Sequence, residues 1–216
     1  MRLKLVLATV SLCALLFACE VEEEAAKELL PFRTISSNGM VKFRLIEGPE
    51  NKVISTSIDE FQYNVSNGTL SVNAAGGSMT IAVRNLYQLW CNSCSVESDG
   101  LVADTLNFYV HAGKVELFNI HVNNYLGISA LNTGSYKFSG FASFFNFATV
   151  NLATVEAYDL LTDSTYVNTT SVGYAEVHAT QVLNVFINSV GGVYYKGNPQ
   201  VVRATITGTG KLIKKD

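Results

Sequence analysis

Two carboxylates in a short phrase that recurs along the chain are the first candidates for chemistry in this 216-residue sequence. Glu156 and Glu176 occupy the same position in consecutive phrases. On adjacent parallel strands they would lie about 4.8 Å apart, close to the ~5 to 5.5 Å between the carboxyl groups of a retaining glycosidase. The preceding phrases hold Glu116 and Lys137 there, however, and alternating charges also suit a solvent-facing row of a sheet. We predict no catalytic residues and keep a carbohydrate-active enzyme, a polysaccharide lyase or hydrolase, as the alternative.

The compact cysteine motif Cys91-Asn92-Ser93-Cys94 is the second candidate. A redox pair normally needs a helix N-terminus to lower the thiol pKa, and this stretch has the pattern of strand and loop. A zinc site would need two further ligands, and the sequence has no second CxxC and no His-x-x-x-His. The remaining interpretations are a local disulfide between Cys91 and Cys94 that stiffens a loop after Trp90, or two free thiols packed beside it.

The histidines and hydroxyl side chains suggest no further site. His111, His121 and His178 fall at different offsets from the recurring phrase, so stacked repeats would not gather them around a metal ion. No nucleophile-elbow sequence accompanies the many serines and threonines, and a hydroxyl without a positioned base is not activated. We therefore expect no metal and no cofactor.

Aromatic side chains are the remaining candidates, as partners for a ligand. Adjacent aromatic residues in a strand point to opposite sides, so some members of the aromatic clusters must lie outside a narrow core. An exposed aromatic strip would suit stacking on sugar rings or contact with a protein partner, whereas the alternative is that other strands cover it. The candidate ligand-stacking residues are Phe141, Phe144, Phe145, Tyr194 and Tyr195.

A repeat positions these residues. The phrase recurs every 18 to 21 residues from about residue 106 onward, and each copy is anchored on a small residue. Two and four residues past the anchor the positions are mostly apolar, and the position between them is mostly polar, as in a strand. The anchors are Gly113, Gly134, Ala153, Gly173, Gly191 and Gly210.

Repeats of this length predict an all-β solenoid. A single repeat cannot bury its apolar side, whereas repeats stacked as parallel strands make a continuous core. We predict a parallel β-helix with five or six rungs over residues 106–214. Residues 32–105 should form less regular strands that lead into the rungs and cap one end, and glycine at the anchors should serve corners with positive φ.

The N-terminus carries the features of a secreted lipoprotein. Arg2 and Lys4 precede an apolar run over residues 5–17, which is too short to span a membrane. The sequence Leu16-Phe17-Ala18-Cys19 then resembles a bacterial lipobox. We predict a signal peptide over residues 1–18 and acylation of Cys19 after cleavage, with an ordinary signal peptide or an uncleaved anchor as the alternative.

An acidic tether follows over residues 19–31, with glutamates at positions 20, 22, 23, 24 and 28. It resembles the surface-export signal of lipoproteins in the Bacteroidetes group, and a plain linker is the alternative. The whole chain has 15 basic and 18 acidic side chains, and removal of Arg2 and Lys4 leaves 13 basic ones and a net charge of −5. That balance gives no reason to expect a nucleic-acid partner.

Several motifs together resemble a known family. They are Phe32-Arg33-Thr34-Ile35, Asn67-Gly68-Thr69-Leu70-Ser71-Val72, the glycine-anchored repeats, Gly192-Val193-Tyr194-Tyr195-Lys196-Gly197-Asn198-Pro199 and Thr207-Gly208-Thr209-Gly210. In this order they look like the putative auto-transporter adhesin family with a head GIN domain, over residues 32–214. The resemblance implies a right-handed β-helix on a secreted or lipid-anchored envelope protein, and it implies no established reaction.

The function predicted from the sequence is therefore binding. We expect an outer-membrane lipoprotein of the cell envelope, displayed at the cell surface, whose non-catalytic solenoid binds a glycan or a protein. Its expected partners are the membrane, through the N-terminal lipid, and that glycan or surface protein. The alternatives are a carbohydrate-active enzyme on the same fold and a purely structural envelope component.

Overall fold

The computed structural model describes residues 30–216, and 74% of them lie in strands. The predicted signal peptide, Cys19 and the glutamates of the tether lie outside this range. Within it, no helix is long and apolar enough to cross a membrane. The elements are β1 (Thr34–Glu47), β2 (Lys52–Thr56), a 3-10 turn (Glu60–Gln62), β3 (Tyr63–Ser66), β4 (Thr69–Asn73), β5 (Ser78–Val83), β6 (Gln88–Asp99), β7 (Val102–Ala130), β8 (Gly134–Asn151), β9 (Ala153–Ser171), β10 (Ala175–Ile187), β11 (Val193–Lys196), β12 (Val201–Ile206) and β13 (Leu212–Lys214).

The strands stack as a parallel β-solenoid of about six turns, which confirms the predicted fold class. Strands β1, β6, β7, β8, β9 and β10 pair in that order, all in parallel. Strand β10 then carries β11 and β12, and β13 pairs with β11. The pairing puts equivalent residues of successive repeats above one another, so their apolar side chains form one continuous core.

Each turn has three straight segments. Along the pairing of β7 with β8 the register shifts between Leu117 and Ile120 and again between Val122 and Leu126, and β7 ends at Ala130. We name the three outer surfaces after their outward side chains or their length. The charged face contains the segments equivalent to residues 113–117, the short face those equivalent to 120–122, and the asparagine face those equivalent to 126–130.

The N-terminal region differs from the expectation of less regular lead-in strands. Strand β1 supplies two of the three segments of a regular turn, those on the asparagine and charged faces, and is inserted between β6 on one side and β4 and β5 on the other. The cap consists of residues 52–83, in which β2 and β3 run antiparallel to β5 and β4. Regular turns therefore begin before residue 106. The repeat was hidden there because Val41 and Cys94 occupy the anchor position that is glycine in the next turn, Gly113.

Gly113 holds the predicted positive φ, at 147°, but other anchor glycines are required for a different reason. Gly173 and Gly191 were expected to hold positive φ, and they are not among the residues that do. Instead, a Cβ at Gly173 would lie 2.1 Å from the carbonyl oxygen of Ala153, and one at Gly191 would lie 2.0 Å from that of Gly173. The backbone of the preceding turn thus occupies the place of a side chain at both corners.

Candidate ligand-binding face

One outward row of the charged face contains most of its charged side chains, with a single side chain per turn. The row places Glu156 directly opposite Glu176, on β9 and β10. Within this row, Arg44 Nε lies 3.9 Å from Glu97 Oε1, and Lys137 Nζ lies 2.8 Å from a Glu156 carboxylate oxygen. In stacking order the row contains Arg44, Glu97, Glu116, Lys137, Glu156, Glu176 and Tyr194.

Three tyrosines lie in or beside the C-terminal half of this row: Tyr158, Tyr174 and Tyr194. We name these three tyrosines, together with Glu156 and Glu176, the tyrosine patch. The ring centroids of Tyr174 and Tyr194 lie 6.5 Å apart in an edge-to-face arrangement, a favoured geometry for aromatic pairs. Tyr174 is 38% exposed. A Cβ at Gly192 would lie 3.4 Å from the Tyr194 ring, about van der Waals contact.

Two lysines cover part of the patch. Lys196 Nζ lies 4.6 Å from the centroid of the Tyr158 ring, and Lys215 Nζ lies 5.2 Å from that of Tyr194. Both are within the range of cation–π attraction. Together with Lys137 they supply three positive charges against the two carboxylates, so the patch combines aromatic surface with both hydrogen-bond donors and acceptors.

The two carboxylates of the patch differ in environment. Burial raises the pKa of Glu176, and the charge of Glu156 raises it further, while Lys196 and Lys215 partly offset the effect. Burial also raises the pKa of the Tyr174 hydroxyl, with further contributions from Glu156 and Glu176. The Tyr174 hydroxyl and the Glu176 carboxyl therefore keep their protons to higher pH than free side chains do.

The sequence-predicted aromatic residues of β8 divide between surface and core. Phe141 is half-buried on the short face beside His121, with ring centroids 5.2 Å apart. Phe144 is half-buried and stacks on Tyr125 at 5.6 Å and 10°. Phe145, in contrast, is fully buried and packs against the core rings, so its assignment as a ligand-stacking residue was wrong. Neighbours in a strand alternate in direction, and Phe145 is the inward member.

The same alternation separates the two adjacent tyrosines. Tyr194 points outward in the row with Glu176, whereas Tyr195 pairs with the buried Val177 and packs against the core. Tyr195 is therefore a packing residue rather than a ligand-stacking one. Of the five aromatic candidates, Tyr194 lies in the tyrosine patch, and Phe141 and Phe144 flank a corner elsewhere on the surface.

The cysteines lie inside the solenoid wall. The structure links Cys91 and Cys94 by a disulfide, with their Cα atoms 6.1 Å apart, and both side chains are buried. The predicted loop after Trp90 is absent, because Cys91 and Cys94 both belong to β6. The register with β1 shifts between these positions, so the disulfide closes a corner of one turn, between the asparagine face and the charged face.

The histidines remain separate, as their offsets indicated. His111 is exposed, His121 contacts Phe141, and the Nδ1 atom of His178 lies 3.1 Å from the Tyr158 carbonyl oxygen. Residues 30–216 contain no group of three or more side chains that could hold a metal ion.

Sequence reasoning missed a groove of about 910 Å³ at the N-terminal end. Arg33, Lys52 and Arg84 line it together with the carboxylates of Glu50 and Asp104. The Asn51 side chain links two segments of the groove wall, because it donates to the Phe32 carbonyl oxygen and accepts from the Arg84 backbone N–H. No sequence signal could have found it, because its residues come from separate segments that meet only through the insertion of β1.

Comparison with known proteins supports the architecture. A family model described as "Putative auto-transporter adhesin, head GIN domain" matches residues 31–199. A putative adhesin from Bacteroides fragilis has a similar crystal structure, with a TM-score of 0.77 at 16% identity, covering 88% of this chain and 95% of that chain.

Two crystal structures from Parabacteroides distasonis are also similar, each at 17% identity and covering 88% of this chain and 95% of the other. One is of a putative lipid binding protein, with a TM-score of 0.65, and the other of a putative adhesin, with a TM-score of 0.63. At such identities the likeness shows the fold alone. Among curated proteins none matches the chain.

Proposed function

The chain belongs to the family described as putative auto-transporter adhesin, head GIN domain, and from that premise we propose that it is a lipid-anchored envelope protein that binds glycans through the tyrosine patch. Family membership supports a place in the cell envelope or at its surface. The lipid at Cys19 and the glycan ligand are the further steps of the proposal.

The observation that carries the proposal is the composition of the tyrosine patch. Tyr174 and Tyr194 present ring surface beside Glu156 and Glu176 on the outer side of a regular sheet. Sugar rings offer apolar C–H surfaces for stacking on aromatic rings and hydroxyls that donate to carboxylates. The patch has nearly balanced charge, so it favours a neutral glycan, with an affinity that depends only weakly on salt.

Anchoring at Cys19 is compatible with a free patch. The described chain enters the solenoid through β1, and Glu176 lies five turns further along the same row than Arg44. Five strand spacings correspond to about 24 Å. The patch would therefore stand well away from the anchored end of the molecule.

A panel of neutral and acidic glycans, titrated with the purified full chain, tests the proposal. We expect binding to neutral glycans that is lost in a Tyr174→Ala, Tyr194→Ala double variant. Tyr109→Ala is the matched control, because Tyr109 is also 38% exposed and lies on the asparagine face. Failure to bind any glycan would favour a protein ligand or a structural role and would end the glycan proposal.

The same panel addresses catalysis as the second candidate. The observation in its favour is the register pairing of Glu156 with Glu176, whose pKa is raised as that of a general acid would be. Against it, Glu156 is bound to Lys137, and the pair lies on an outward sheet surface. Release of new reducing ends, abolished by Glu176→Gln, would establish an enzyme; intact glycans after long incubation would exclude that activity for the panel.

A further inference from the structure

Among the described residues, two rows of the core are left partly uncovered at the C-terminal end of the solenoid. Val202 follows Leu183 in one inward row, and Ile206 follows Ile187 in another. Leu183 and Ile187 are fully buried, whereas Val202 and Ile206 are each 43% exposed. Within residues 30–216, β12 pairs with β10 alone and β13 with β11 alone, so both strands offer a free backbone edge. Free edges beside exposed core positions favour association with a further strand layer.

The opposite end exposes apolar side chains as well. Phe61, in the 3-10 turn that precedes the outermost strand β3, is 95% exposed, and Ile54 on β2 is 46% exposed. These side chains give the cap end apolar surface that a partner could bury.

The two ends carry opposite charge. The cap, residues 52–83, contains Asp59 and Glu60 against one basic side chain, Lys52, for a net charge of −1. Residues 196–216 contain five basic side chains and one acidic residue, Asp216. The basic side chains are Lys196, Arg203, Lys211, Lys214 and Lys215.

We propose that the solenoid stacks head to tail on a second copy of this chain, with the acidic cap of one molecule on the basic C-terminal end of the next. The uncovered positions Val202 and Ile206 would then meet the apolar surface around Phe61 and Ile54. Contact between two C-terminal ends would juxtapose like charges, which opposes that arrangement. Because the two surfaces differ, the contact does not close on itself and produces linear arrays. This property is independent of glycan binding.

Cysteine crosslinking of the full chain in intact cells tests the arrangement. A Phe61→Cys, Val202→Cys double variant, treated with a flexible thiol-to-thiol crosslinker, should give a ladder of dimers, trimers and longer species. The unsubstituted chain and each single variant serve as controls and should give no ladder. Dimers from Val202→Cys alone would show tail-to-tail contact and overturn the proposal, and so would the absence of crosslinks in the double variant.

Charge reversals introduced into the Phe61→Cys, Val202→Cys double variant provide the decisive test of the head-to-tail arrangement. One variant carries Asp59→Lys and Glu60→Lys, and the other carries Arg203→Glu, Lys211→Glu and Lys214→Glu. Each alone brings like charges together and should lose the species above monomer. Co-expression pairs every reversed cap with a reversed end, and every native cap with a native end, and should restore the ladder. Restoration of the ladder would exclude misfolding as the cause of its loss. A ladder that persists in each reversed variant alone, or that does not return on co-expression, would contradict the proposal.

Discussion

Glu156 and Glu176 lie opposite one another on adjacent strands, yet of these two carboxylates only Glu156 has a cation of the described residues at ion-pair distance, the Lys137 ammonium 2.8 Å away. Glu176 instead lies beside the like charge of Glu156 and is partly buried by its neighbours, and both effects raise its pKa. The pair thus combines one carboxylate in an ion pair, Glu156, with one whose ionised form is disfavoured, Glu176.

Glu176→Gln should stabilise the protein at neutral pH. Because the pKa of Glu176 is raised in the fold, the folded state binds this proton more tightly than the unfolded chain. Stability then falls as the pH rises from the ordinary carboxyl pKa through the raised value. The melting temperature of the variant should exceed that of the wild type at pH 7, and the gap should close as the pH falls below the ordinary carboxyl pKa.

Glu97→Gln is the matched control, in the same row but beside the cation Arg44, and it should give no gain. A difference between Glu176→Gln and wild type that stays constant from pH 7 to acid would contradict the assignment.

Alanine at the anchor glycines should destabilise the solenoid. A Cβ at Gly173 or Gly191 would lie within about 2 Å of a carbonyl oxygen of the preceding turn, which forces adjacent turns apart. Each substitution should lower the free energy of unfolding by about 1–3 kcal/mol in denaturant titrations. Gly76 is the control, because a Cβ there meets nothing within 4 Å; equal midpoints for all three variants would disprove the steric explanation.

The two adjacent phenylalanines of β8 should differ sharply in their effect on stability. Phe145→Ala removes a fully buried ring and should cost about 3–5 kcal/mol. Phe144→Ala loses mainly its stacking on Tyr125, and should cost about 0.5–1.5 kcal/mol. Chemical denaturation measures both, and a larger loss for Phe144→Ala would reverse the inward and outward assignments.

Much of the fold could be predicted because it depends on local pattern. The alternation around each anchor, as at Val115, Glu116 and Leu117, indicates which side chain points inward whatever the neighbouring turn contains. The row of Glu156 and Glu176 followed from the repeat spacing, and the structure pairs the two residues as that spacing required.

What escaped prediction depends on contacts between turns. The insertion of β1 between β4 and β6 joins segments distant in sequence, and no periodicity reports it. The need for glycine at position 173 comes from the Ala153 carbonyl of another turn. The tyrosine patch was found only in part, because Tyr174 lies next to its anchor rather than in an aromatic cluster, and Tyr158 reaches the patch through a register shift between β9 and β10.

Acylation of Cys19 remains a prediction, since that residue lies outside the described range. Cys19→Ala should leave the chain unprocessed or released, because a lipid is the predicted hold on the membrane. Mass spectrometry of the mature N-terminus and detergent partitioning measure the outcome. A variant with the mass and partitioning of the wild type would show that another segment anchors the protein.

The affinity of the full chain for a neutral glycan, measured by calorimetry in the wild type and in single tyrosine variants, tests the proposed function most directly. Tyr174→Ala and Tyr194→Ala should each weaken binding by about 0.5–1.5 kcal/mol, roughly 2- to 12-fold, through loss of ring stacking. Tyr109→Ala should leave the affinity unchanged, and the wild-type value should vary little with salt. Equal affinities in all three variants, or a loss confined to Tyr109→Ala, would contradict binding at the tyrosine patch.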